Sequence, residues 1–186
     1  MIRLGAAAVV VVALVIVAGA VLSTQGGTSD STKQGDRLGV TLVAYQGNDL
    51  LGGQRVDLGT VVGQGKPVIL NFFAGLCPPC RLEMPGFERA WERHRDEIVL
   101  LGADIGPFLS LGSHDDAKRL LTDLGITYPA AYVEENVVGR FNVVGMPTTI
   151  FYAGDGREVG RSTGVLTEEQ LENAISQLLA APVASP

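Results

Sequence analysis

Residues 67–85 read PVILNFFAGLCPPCRLEMP, and both cysteines of the chain, Cys77 and Cys80, fall inside this stretch. Its first eight residues form a short apolar run, the pattern of a strand buried on both faces. Over residues 81–96, Leu82, Phe87, Ala90, Trp91 and His94 recur at spacings of three to five, which predicts a helix. The motif Cys77-Pro78-Pro79-Cys80 therefore lies where a buried strand hands over to a helix. A helix N-terminus presents N–H groups without partners and the positive end of the helix dipole. A thiolate placed there is stabilised, so its pKa falls below the free value of about 8.5. Spacing of three across the first turn lets the two sulfurs meet, so a disulfide can form and break reversibly.

The prolines refine this reading. With Cys77 as N-cap, Pro78 and Pro79 occupy the first two helical positions, and neither has an N–H. The first helical donor left for the Cys77 sulfur is the amide of Cys80. Arg81 adds a cation beside the pair. Glu83 opposes it and can also take or give a proton, one turn beyond Cys80. Two plainer readings fit less well. A disulfide across two residues closes a tiny loop and stabilises little. A zinc site needs four ligands, and His94 and His114 stand alone, far along the chain.

Outward from the motif, residues 38–45 and 54–58 have strand patterns, separated by a turn-like stretch at 46–53. Residues 98–103 form a second buried strand. Residues 114–124 form an amphipathic helix that stops at Gly125. Asp115 and Asp116 suit the start of that helix. Residues 134–141 are a short helix candidate. Residues 148–153 and 158–163 flank Gly154-Asp155-Gly156, a hairpin turn. Residues 167–179 form the last helix, with Thr167 as N-cap and Gln170 completing a capping box. This order implies an α/β fold, with a mixed central sheet and helices on both faces. Phe72, Phe73 and Trp91 are expected in the core.

At the N-terminus, residues 4–22 carry no charge over 19 positions. As a helix they span about 28 Å, close to the hydrocarbon thickness of about 30 Å. The flanking Arg3 keeps the N-terminus inside, so the rest of the chain lies outside the cytoplasm. Length favours an uncleaved single-pass anchor, whereas Ala18-Gly19-Ala20 favours a cleaved signal peptide. Residues 23–36 are polar and rich in Ser, Thr and Gly, a flexible linker. The organisation is thus a segment at 1–22, a linker at 23–36 and one globular domain at 37–182. The 186-residue chain has a formal net charge of −6. That balance argues against nucleic acid as a partner.

The run from Asn71 to Pro85 (NFFAGLCPPCRLEMP) resembles the TlpA/ResA-like thioredoxins, and the resemblance covers about residues 38–180. These are membrane-anchored or exported thiol-disulfide oxidoreductases of thioredoxin-like fold. It implies an N-terminal β extension and an inserted helix and strand, here over residues 112–132. It implies Cys77 as the exposed attacking nucleophile, Cys80 as the buried resolving thiol and Glu83 as the acid beside them. Asn71 stands where cytoplasmic thioredoxins carry a buried aspartate. Gly145-Met146-Pro147-Thr148-Thr149 is similar to the family's cis-proline loop. Leu76, Pro78, Pro79, Met146 and Pro147 are therefore the expected substrate-binding residues. Leu76 departs from the family, which usually has tryptophan there, and this bears on substrate preference more than on chemistry.

The resemblance implies disulfide exchange with exported proteins, leaning towards reduction, with apocytochrome c as one partner. A reductase would also need a membrane electron donor. Beyond the Cys77–Cys80 couple, no cofactor and no metal is expected. Two rival readings fit the sequence less well. A peroxiredoxin carries threonine three residues before its reactive cysteine, where this chain has Ala74. A copper-binding module would need His94, His114 or Met146 near the thiolates.

Overall fold

The computed structural model describes residues 37–180. The expected membrane segment, the linker and residues 181–182 of the expected domain lie outside the described residues. The chain runs through β1 (Thr41–Gln46), α1 (Asn48–Leu51), β2 (Arg55–Asp57), a 3-10 turn (Leu58–Thr60) and β3 (Val68–Phe73). It continues through α2 (Pro78–His94), β4 (Val99–Asp104), α3 (Gly106–Leu109) and α4 (His114–Asp123). It ends with β5 (Ala130–Val133), β6 (Thr148–Tyr152), β7 (Glu158–Thr163) and α5 (Glu168–Ala180).

The seven strands form one mixed sheet in the order β2-β1-β5-β4-β3-β6-β7. β3 and β4 are parallel, as are β4 and β5, and the remaining pairs are antiparallel. β3 is central and buried at all six positions, as its unbroken apolar sequence requires. Its side chains alternate between two cores. Val68, Leu70 and Phe72 enter one, and Ile69 and Phe73 the other. Burial of Phe72 and Phe73 contributes about 1.5–3 kcal/mol each.

Helices lie on both faces, but unequally. The long helices α2, α4 and α5 all pack on the Ile69–Phe73 side. The other side is covered by Leu38, Val40, the short helices α1 and α3, and the segment before β6. The parallel pairs β3-β4 and β4-β5 run in one direction across the sheet. Right-handed crossovers therefore place α2 and α4 on the same face.

Two sequence expectations need correction. Residues 134–141 form turns, not a helix. A lone i→i+4 bond, Phe141 N–H to the Val137 carbonyl at 2.9 Å, is not continued. Asn136 instead accepts from the Val138 N–H through its own side chain, and Asn142 turns to a φ of 51°. Such local side-chain bonding competes with helix. Val137 and Phe141 are buried all the same, which is why their spacing mimics a helical stripe. Within 46–53, the expected turn contains the short helix α1. The hairpin at Gly154-Asp155-Gly156, the Thr167–Gln170 capping box and the stop at Gly125 form as expected.

α2 and α5 are joined by charge as well as by packing. Arg89 bonds Glu168, and Arg93 bonds both Glu168 and Glu172. His94 places Nδ1 3.0 Å from Glu97 and Nε2 2.9 Å from Glu172. Burial lowers the His94 pKa, but the bonds to Glu97 and Glu172 outweigh it and hold the imidazole above its ordinary value. The folded protein thus holds this proton more tightly than the unfolded chain. The stabilisation is complete below the unfolded pKa of about 6.5 and is lost as pH rises through the folded value. Replacing His94→Gln should therefore lower the melting temperature most near pH 5.5 and least near pH 9. A gap independent of pH would contradict this.

Candidate active site

The site is assembled where β3 ends. Beyond Phe73 the chain passes Ala74, turns at Gly75-Leu76 and enters α2 at Cys77. Cys77 is the N-cap, in extended conformation at φ −93° and ψ 106°. Pro78 and Pro79 fill the first two helical positions, where no hydrogen bond within the helix is lost for want of their N–H groups. The Cys80 amide donates to Cys77 Sγ at 3.2 Å, the one donor the sequence leaves. The two cysteines are joined as a disulfide with Cα atoms 5.3 Å apart.

The expectation of an exposed Cys77 is corrected in degree. It is 3% exposed in the disulfide form, while Cys80 is fully enclosed. Capping turns the Cys77 sulfur inward, toward the Cys80 amide, and away from solvent. Cys77 still lines an open depression of about 240 Å³, together with Gly75, Leu76, Pro78 and Arg81. The asymmetry between the two sulfurs survives, although it is narrower than expected. Arg81 also reaches Asp123 at 3.6 Å, so its charge is shared.

The turn before Cys77 is held from one side. The Leu76 N–H donates to the Leu111 carbonyl at 2.8 Å. Gly75 lies directly against the backbone of Asp116 and Ala117, leaving no room for a Cβ. Leu76 itself projects outward at 59% exposure. Across from it, β6 starts at Thr148, paired with Phe72, so Pro147 stands at the same end of the sheet as the cysteine turn. The Met146–Pro147 bond is cis. Pro147 is buried, and Met146 is half-buried against the core that contains Cys77 and Cys80. Val144, two residues before Met146, is 77% exposed.

Glu83 is buried beneath the motif, on the next turn of α2. Its Oε1 accepts from Asn71 Nδ2 at 2.8 Å, and its Oε2 from the Leu166 N–H at 3.0 Å. Both bonds favour the charged acid, yet burial wins and pushes its pKa up to about 7. Asn71 also donates to the Thr149 hydroxyl at 3.0 Å. Glu83 can therefore exchange a proton near neutral pH, which an ordinary surface glutamate cannot. Thr149 and the Leu166 amide were not singled out from the sequence. The capping-box start of the last helix, just beyond Leu166, was the available signal.

The histidines are engaged elsewhere. His94 is held by Glu97 and Glu172. His114 places its Nδ1 2.8 Å from the fully buried Asp104. Trp91 belongs to the core, as expected.

Residues 54–179 match the family model described as a thioredoxin-like domain. Over 174 residues the chain is 29% identical to the thiol-disulfide oxidoreductase ResA of Bacillus thuringiensis (strain Al Hakam), covering 90% of this chain and 94% of that protein. It is 27% identical over 113 residues to the thioredoxin-like protein YneN of Bacillus subtilis (strain 168), covering 60% of this chain and 65% of that one. A putative thiol:disulfide interchange protein DsbE from Chlorobium tepidum superposes with a TM-score of 0.61 at 21% identity, over 75% of this chain and 94% of that one. A secreted Mycobacterium tuberculosis disulfide oxidoreductase homologous to E. coli DsbE superposes with a TM-score of 0.60 at 20% identity, over 76% and 98%. These structural likenesses show the same fold.

The single donor to Cys77 makes a direct prediction. Pro79 occupies the second helical position, whose amide normally serves an N-cap side chain. Replacing Pro79→Ala restores that N–H and should lower the Cys77 pKa in the reduced protein. The change is read from thiolate absorbance against pH, and an unchanged or raised value would refute it.

Proposed function

Because this chain belongs to the thioredoxin-like domain family and is a thiol-disulfide oxidoreductase, we propose that it reduces disulfides in exported proteins outside the cytoplasm. The observation that carries the reading is the polarity of the cysteine pair. Cys77 caps the helix and lines an open depression, and Cys80 is fully enclosed. The uncharged segment at 4–22, with Arg3 before it, supports attachment to or export across a membrane. The likeness to a secreted Mycobacterium tuberculosis protein is consistent with that location.

In the reduced protein the Cys77 thiolate attacks one sulfur of the partner's disulfide. A Cys77–partner mixed disulfide forms, and the partner's other sulfur leaves as a thiolate that takes up a proton. Glu83, ionised above about pH 7, accepts the Cys80 proton. The Cys80 thiolate then attacks Cys77 Sγ, releasing the partner's second thiol and closing the Cys77–Cys80 disulfide. Two electrons pass from the dithiol to the partner. A membrane protein must return them, since the outer compartment is oxidising. Leu76, Pro78, Pro79 and Met146 form the surface that meets the partner chain, and the buried Pro147 shapes the loop that carries Met146. With Leu76 where the family usually has tryptophan, the contact is aliphatic and suits an extended chain around the target cysteine. Apocytochrome c, whose two thiols must be reduced before haem attachment, is a partner of this kind.

Replacing Cys77→Ser should abolish turnover. Replacing Cys80→Ser should trap a mixed disulfide with the natural partner in cells, and failure to capture any partner would count against the scheme. The reduction potential of the couple should lie near about −270 mV rather than about −120 mV. Glu83 acts here as a base, so the rate of the resolving step should rise with pH through about 7. Glu83→Gln should remove that rise, and a profile unchanged by the substitution would exclude the assigned role.

A further inference from the structure

Asp104 ends β4 with a carboxylate that has no solvent exposure. Burying a charge is costly unless it is fully bonded, and this one is. Its Oδ1 accepts from the Gly106 N–H at 2.9 Å. Its Oδ2 accepts from the Tyr45 hydroxyl at 2.8 Å and faces His114 Nδ1 at 2.8 Å, so that nitrogen carries the proton. These partners come from three places: β1, the first residue of α3 and the first residue of α4. The aromatic rings close over the cluster. His114 stacks on Tyr132 with centroids 4.3 Å apart, and Tyr45 lies 5.5 Å from Tyr132.

The segment tied down by Asp104 is the one on which the cysteine turn leans. Leu111, in the loop between Gly106 and His114, accepts the Leu76 N–H. The first turn of α4, which starts at His114, supplies the Asp116–Ala117 backbone against Gly75. We propose that Asp104, His114 and Tyr45 are positioning residues for the Leu76–Cys77 turn, and that they hold the Cys77 sulfur over the Cys80 amide after the disulfide has opened.

The disulfide itself fixes Cys77 in the oxidised protein, so the latch matters in the reduced one. Without it, the Cys77 thiolate spends less time on its single donor. The thiolate is then less stabilised, and the reduced form loses ground to the disulfide. The inference rests on Cys77 being the attacking thiolate.

The test measures the Cys77 pKa and the glutathione exchange equilibrium of the full chain, with melting temperature recorded beside them. His114→Ala should raise the Cys77 pKa and shift the equilibrium at least threefold toward the disulfide. Asn at position 114 offers a side-chain N–H in place of Nδ1–H but no charge, so His114→Asn should restore both values. That separates the hydrogen bond from any field of the imidazole. Tyr45→Phe removes one hydroxyl, keeps the ring contacts and should move both values the same way if His114→Ala fails to fold. Lys118→Ala removes the ammonium 5.4 Å above the Tyr45 ring, one turn along α4, and should leave both unchanged. A lower melting temperature with unmoved pKa and equilibrium would overturn the latch while leaving the exchange reading intact. A wild-type protein in which Cys77 is not the low-pKa thiol would overturn both.

Discussion

The Cys77 sulfur faces one backbone donor, the Cys80 amide at 3.2 Å, because two prolines occupy the positions between them. That one contact orders much of the surrounding architecture. It requires Cys77 at the mouth of α2, which requires β3 to end at a fixed height. β3 in turn is anchored by six buried residues between β4 and β6. Gly75 closes the link, since only a residue without a side chain lets the turn rest on the α4 backbone.

The two faces of the sheet divide the work. The face bearing α2, α4 and α5 carries the cysteines, Glu83 and Asn71. Buried acids on this face have different surroundings and different parts to play. Glu88 spends its carboxylate on the Thr127 N–H, the Thr127 hydroxyl and the Tyr128 N–H, fixing the approach to β5. Glu83 has fewer donors for its burial, so its proton is held near neutrality. Asn71 keeps that region neutral: an aspartate at the same point would set two carboxylates side by side and drive one of them far up in pKa.

What the sequence made legible was local. The apolar run at 67–74, the cysteine cap, the Gly-Asp-Gly hairpin and the Thr167–Gln170 box each depend on neighbours within a few residues, and each stands where expected. β5 was legible only through family resemblance, because AAYV is too short and too alanine-rich to carry a strand signal of its own. The turns at 134–141 were misread because Val137 and Phe141 bury on one side without a continuous helical backbone. The Asp104 cluster was invisible, since Tyr45 lies 59 residues from its partner along the chain. The pKa of Glu83 could not be read either, because burial is set by β3, β6 and the Leu166 loop rather than by the helix that carries it.

Trp91, the chain's one tryptophan, sits on the same helix as the disulfide but three turns further along, almost wholly enclosed. Its fluorescence therefore watches the far end of α2, remote from the sulfurs. Loss of native emission would signal that the helix has come away from its bed. An electron-transfer event confined to the cysteine end is read instead from the thiolate absorbance, so chemistry and unfolding in this protein can be followed as separate signals in one cuvette.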